Sequence, residues 1–125
     1  MEKKIMIVDD AMFMRKLIRR NLEAEGYHKI VEASDGETAL ELFWREQPDL
    51  VILDITMAGM SGMKVLEEIM PKAPWAKVVM CSAVGQETMI LDALSKGAAD
   101  FIVKPFKNDE FIKIINNCIA EEGMI

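Results

Sequence analysis

Five short apolar runs punctuate the chain, at residues 5–8, 30–31, 50–53, 78–81 and 101–103. Four of them are rich in Val and Ile and lack polar alternation, so they read as strands buried on both faces. The second is flanked by Lys29 and Glu32 and reads as an edge strand. Helical spacing lies between the runs. Met14, Leu17, Ile18 and Leu22 form one stripe, with Arg15, Lys16, Arg19, Arg20 and Glu23 elsewhere around the turn and Gly26 as a stop. Ser34, Asp35, Gly36 and Glu37 offer a capping acceptor before Ala39, Leu40 and Phe43. Val65, Leu66 and Ile69 mark a third helix, ended by Pro71 and Pro74. Met89, Ile90, Ala93 and Leu94 mark a fourth, ended near Gly97. Phe111, Ile112, Ile115, Cys118 and Ile119 mark a fifth.

Strand and helix thus alternate five times. Connections this short predict an α/β fold: a doubly wound parallel sheet with right-handed crossovers and helices on both faces. Residues 1–125 read as a single domain, with no linker, repeat or low-complexity segment. Residues 121–125 are expected to fray.

Composition narrows the function. The chain has 125 residues, 51% of them hydrophobic, which suits a real core and argues against disorder. A net charge of −6 argues against a general nucleic-acid binder, which needs a basic face. The apolar runs are too short to span a bilayer, and residues 1–4 lead into only four apolar residues and then two acids, unlike a signal peptide. A cytoplasmic protein is expected. Cys81 and Cys118 read as small core residues in a reducing compartment.

The candidate chemistry collects where the strands stop. The first run is followed by Asp9 and Asp10, the third by Asp54, the fourth by Ser82 and the fifth by Lys104. In an open parallel sheet all carboxyl ends share one edge, where such folds bind ligands. Singly, each residue has an ordinary reading. An acid pair before a helix is often an N-cap, Asp54 could be a loop acid, and Lys104 before Pro105 a surface lysine. Together they place three carboxylates, a hydroxyl and an amine in one cleft. Two unit charges roughly 5 Å apart repel by about 3 kcal/mol at an effective dielectric of about 20. A divalent cation would remove that conflict, and an all-oxygen site suits Mg²⁺. Asp54 would then be a nucleophile toward phosphorus, and Lys104 and Ser82 would donate to phosphate oxygens.

These residues resemble the receiver domain of two-component response regulators. The resemblance rests on Ile7-Val8-Asp9-Asp10, on Asp54, on Cys81-Ser82-Ala83 and on Val103-Lys104-Pro105-Phe106, and it covers essentially the whole chain. It implies five helices around a sheet in the order 2-1-3-4-5, the flavodoxin-like receiver fold; the order comes from the resemblance and not from the pattern. It implies that Asp54 is the phosphoacceptor. Mg²⁺ would be held by Asp9, Asp10, Asp54 and the backbone carbonyl of Thr56. Ser82 would be the switch hydroxyl, Phe101 the switch aromatic, and Lys104 the family's lysine, often followed by a cis proline. It also implies a histidine kinase as donor, a phosphatase among the partners, and a monomer. The chain would be no enzyme in the ordinary sense, although it would catalyse its own phosphorylation and slow dephosphorylation.

Asp10-Ala11-Met12-Phe13-Met14-Arg15 and Met80-Cys81-Ser82-Ala83-Val84-Gly85-Gln86 look most like CheY-type chemotaxis regulators, whose expected partner is a flagellar motor switch protein. Met89, Ile90, Leu91 and Leu94 are more apolar than one buried stripe needs. They are either a read-out face or a deeply packed helix. Met57-Ala58-Gly59 lacks the proline common after the nucleophile, which predicts a looser loop. Thr56 and Val84 fall where the family tunes dephosphorylation. Trp44 and Trp75 are expected to lie too far off to report metal binding. One alternative is a phosphorelay intermediate that passes its phosphoryl group to a histidine phosphotransfer protein. Another is a haloacid-dehalogenase-like phosphatase, but that chemistry wants an Asp-x-Asp after the first strand, and Ala11 follows Asp9 and Asp10 here.

Overall fold

The computed structural model describes residues 2–120, so the expectation for residues 121–125 lies outside the described residues. Every apolar run is a strand: β1 (Lys4–Val8), β2 (Lys29–Ala33), β3 (Leu50–Asp54), β4 (Val78–Ala83) and β5 (Asp100–Lys104). The helices α1 (Met12–Ala24), α2 (Gly36–Glu46), α3 (Gly62–Ile69), α4 (Glu87–Ser95) and α5 (Asn108–Ala120) alternate with them. All pairs are parallel, in the order β2-β1-β3-β4-β5. β2 is indeed an edge strand, and only its last residue is fully buried, whereas all five residues of central β3 are.

The strands run slightly past the apolar runs. Asp54 and Lys104 are the last residues of β3 and β5, and Ser82 is the last but one of β4, not residues after them. Ladder hydrogen bonds use the main chain, so pairing continues where the side chains turn polar.

Alternation along the strands builds two core layers. Met6, Val8, Val51, Leu53, Val78 and Met80 face α2, α3 and α4, where Phe43, Leu66 and Ile90 meet them. Ile5, Ile7, Leu50, Ile52, Val79 and Cys81 face α1 and α5, where Ile18, Leu22, Phe111 and Ile115 meet them. Cys81 and Cys118 are both buried in this second layer. Burial pushes the Cys81 thiol up to about 12, so it stays protonated and acts as an apolar filler. No helix among the described residues is long and apolar enough to cross a membrane.

Helix starts follow two patterns. α2 and α3 are capped by side chains: Asp35 accepts from the Thr38 amide at 2.8 Å, and Ser61 from the Lys64 amide at 3.3 Å. α1 and α4 have no side-chain cap. On α4 only Ile90 and Ala93 are buried. Leu91 is 67% and Met89 40% exposed, so the deeply packed alternative does not hold for this helix.

The start of α3 approaches the end of β3 closely. The Gly62 amide donates to the Ile55 carbonyl at 2.8 Å, and a Cβ at Gly62 would lie 1.9 Å from the Asp54 carbonyl oxygen. That neighbour is main chain and cannot swing away. A Cβ at Gly36 would instead meet Met60 Cβ at 2.7 Å, a milder clash that a shift of the loop after β3 relieves. Gly62→Ala is therefore expected to cost on the order of 2 kcal/mol in urea unfolding, and more than Gly36→Ala. Equal midpoints for the two variants would contradict this reading.

Candidate functional site

The parallel register brings the distant residues to one edge. Asp54 is level with Cys81, Ser82 with Val103, and Ala83 with Lys104. Asp9 and Asp10 follow β1, which is paired to β3 beside them. Carboxylate oxygens of Asp9, Asp10 and Asp54 all lie within 4.8 Å of one another. Asp9 is 1% and Asp54 8% exposed, while Asp10 opens to solvent.

The ordinary reading of the acid pair fails on geometry. The residue at the N-cap of α1 is Ala11, and no side chain caps that helix. Asp9 Oδ1 accepts from the Ala11 amide at 2.9 Å, and Asp10 Oδ2 from the Ala58 amide at 3.0 Å. The Asp9 carbonyl accepts from Arg15 at 2.6 Å, and Arg15 also binds Glu32 at 3.0 Å. Both acids are thus held at the cleft rather than spent on the helix.

Lys104 is the counter-charge. Its Nζ donates to Asp9 Oδ2 at 2.9 Å and lies 3.2 Å from Asp54 Oδ1. The expected pairing with Asp54 is present, but the shorter contact is to Asp9. Three carboxylates face one ammonium. Burial pushes the Asp54 carboxyl above its ordinary value; Lys104 opposes this, and the charges of Asp9 and Asp10 reinforce it. Burial works to lower the Lys104 ammonium, yet the hydrogen bond to Asp9 and the charges of Asp54 and Asp9 outweigh it and raise it. Two unit charges 4.8 Å apart repel by about 3–4 kcal/mol at an effective dielectric of about 20. A hard divalent cation fits this set: the donors are all oxygen, they exceed the local positive charge, and one side is open for water.

Ser82 is the other anomaly. Its hydroxyl is fully buried, and it is the one buried side-chain polar atom among the described residues with no hydrogen-bond partner. Such groups are rare because an unmade buried hydrogen bond costs about 1–3 kcal/mol. It sits one residue beyond Cys81, the register partner of Asp54. Phe101 is half-buried, level with Met80, and packs on the α2–α4 side of the sheet. The Lys104–Pro105 bond is cis.

Several participants were not legible in the sequence. Arg15 looked like one of several polar residues around α1. Ala58 marked a missing proline and a looser loop, yet its amide, which proline would lack, is what holds Asp10. Gln86 had no assigned role, but its side chain bridges the Ala83 amide and the Thr56 hydroxyl, both at 2.6 Å. No local pattern signals these contacts, since each joins positions on different elements. Thr56 itself stands on the exposed side of the loop after β3. Trp44 and Trp75 line a cleft of about 240 Å³ with Pro48 and Asp49, at the opposite edge of the sheet.

Known proteins are similar to this chain in sequence and fold. The chain is 47% identical to the chemotaxis protein CheY of Listeria monocytogenes over 112 residues, 90% of this chain and 94% of that protein. It is 44% identical to the chemotaxis protein CheY of Bacillus subtilis over 119 residues, 95% of this chain and 99% of that one. The receiver domain of NtrX from Brucella abortus superimposes with a TM-score of 0.89 at 36% identity, over 94% of this chain and 98% of that one. A longer NtrX chain matches with a TM-score of 0.92 at 35% identity, and this chain spans 28% of it. With residues 5–116 matching the family of that description, the chain belongs to the response regulator receiver domains.

Proposed function

We propose that the chain is a response regulator that takes a phosphoryl group on Asp54 from a histidine kinase and signals through a change in its binding face. The observation that carries this is the buried, unpartnered Ser82 hydroxyl beside Asp54 and Lys104. A donor kept dry without an acceptor is a donor prepared for a ligand. Asp9, Asp10, Asp54 and the Thr56 backbone carbonyl would hold Mg²⁺. Bound there, it supplies neutralising charge for the incoming phosphoryl oxygens.

The chain's own groups do the rest. An Asp54 carboxylate oxygen attacks phosphorus, the phosphorus–nitrogen bond of a phosphohistidine breaks, and its electron pair leaves with the imidazole. Lys104 keeps its contact with Asp9 while turning toward a phosphoryl oxygen, and Ser82 donates to another. Movement of Ser82 makes room for Phe101 to turn inward. Water later attacks phosphorus and restores the carboxylate. The protein is thus a switch and not a turnover enzyme.

The relatives named chemotaxis protein CheY support a role in chemotaxis; the reading adds a flagellar motor switch protein as partner and the cytoplasm as the setting. Exposed Met89, Leu91 and Leu94 on α4 favour a read-out face over the relay alternative, which needs only the phosphoacceptor edge.

Two outcomes are expected. Incubation with Mg²⁺ and a small acyl phosphate should add one phosphoryl group by mass spectrometry, and Asp54→Asn or omission of the cation should abolish the adduct. An undiminished adduct in Asp54→Asn would refute the assignment. The second concerns stability. The folded value of Asp54 is raised, so stability falls as pH climbs from its unfolded value, near 4, through the folded one. Without divalent cation, Asp54→Asn should therefore be more stable than wild type near pH 7. The gap should shrink toward pH 4, and on adding Mg²⁺. Urea midpoints would read this, and a wild type more stable than Asp54→Asn without cation would contradict it.

A further inference from the structure

We propose that Gln86 is a positioning residue that latches the resting state by occupying the Ala83 amide that a phosphoryl group on Asp54 would claim. The proposal rests on the phosphoacceptor reading above.

The direction of that amide follows from the sheet. The Ile55 amide donates to the Cys81 carbonyl at 3.0 Å, so the peptide groups of Cys81 face β3. Peptide groups two residues apart on a strand point the same way. The Ala83 N–H therefore faces the flank where β3 has ended and the Asp54–Thr56 segment begins. The next carbonyl on that segment, of Ile55, is taken by the Gly62 amide at 2.8 Å. The sheet leaves Ala83 without a ladder partner, and Gln86 Oε1 accepts its N–H at 2.6 Å.

The other end of the same carboxamide is also engaged. Gln86 Nε2 donates to Thr56 Oγ1 at 2.6 Å and lies 3.7 Å from Met89 Sδ. The Gln86 carbonyl accepts the Ile90 amide at 3.0 Å, which starts α4. One side chain thus ties the loop after the nucleophile to the end of β4 and to the first turn of the exposed apolar helix. Standing at the N-cap of α4, it makes no capping hydrogen bond to that helix.

Phosphoryl oxygens on Asp54 are charged acceptors at the edge where the Ala83 amide and the Ser82 hydroxyl converge. A hydrogen bond to a charged acceptor is roughly twice as strong as one to a neutral amide. The phosphoryl group takes the Ala83 N–H, Gln86 Oε1 is displaced, and the bridge from Thr56 to α4 loosens. The exchange carries the event toward Met89 along a route separate from Ser82 and Phe101.

Beryllofluoride with Mg²⁺, a stable phosphoryl mimic, tests this. Removing a competitor for the amide should tighten binding. Gln86→Ala is expected to bind the mimic roughly three- to tenfold more tightly than wild type by calorimetry. Thr56→Val keeps the main-chain carbonyl but lacks the hydroxyl that anchors Gln86; it should give a gain of the same sign, and the double variant should gain no more than Gln86→Ala alone. Amide exchange at Ile90 should speed up when wild type binds the mimic and should already be fast in unliganded Gln86→Ala. Equal or weaker binding by Gln86→Ala, with wild type binding normally, would overturn the latch alone. No binding by wild type would overturn the phosphoacceptor reading, and the latch with it.

Discussion

Three carboxylates share one edge of the sheet with a single ammonium, and much of the structure is arranged around that imbalance. Asp9 and Asp54 are nearly buried, so their charges are poorly screened. Lys104 reaches both but offsets only part of the charge. Backbone amides of Ala11 and Ala58 hold the pair after β1 in place, and Arg15 fixes the Asp9 carbonyl. The site is preorganised at a cost, and a cation or a phosphoryl ligand can recover that cost.

The same edge explains the fold's economy. A parallel sheet delivers Asp54, Ser82 and Lys104 from three strands without any loop having to reach. Gly62 lets α3 seat against the carbonyl of Asp54 itself, so the backbone at the end of β3 is held by a helix. The N-cap of α1 is Ala11, which has no polar side chain to cap with, and at α4 the Gln86 side chain is engaged by Ala83 and Thr56. α2 and α3 keep their side-chain caps.

Most of the fold was legible because it depends on periodicity. Buried strands appear as unbroken Val and Ile runs, and β2 betrays its edge position by Lys29 and Glu32. The acids, the serine and the lysine were legible because each sits at the end of such a run, and one topology gathers all the ends. Arg15, Gln86 and the Ala58 amide were not. Arg15 joins α1 to β2, and Gln86 joins α4 to the loop after β3, so only three-dimensional structure brings the partners together. The Ala58 contact uses a main-chain donor, which a sequence shows only as the absence of proline. The depth of α4 was undecidable from pattern alone, since Met89, Leu91 and Leu94 fit either burial or display.

The central claim is that the acid at the end of β3, and no other in the cluster, carries the phosphoryl group. Borohydride reduces an acyl phosphate to the alcohol and leaves ordinary carboxylates alone. The protein is phosphorylated with a small acyl phosphate, reduced, digested and sequenced by mass spectrometry. The account predicts homoserine at position 54 and unchanged aspartate at positions 9 and 10. Homoserine at Asp9 or Asp10, with Asp54 intact, would contradict it.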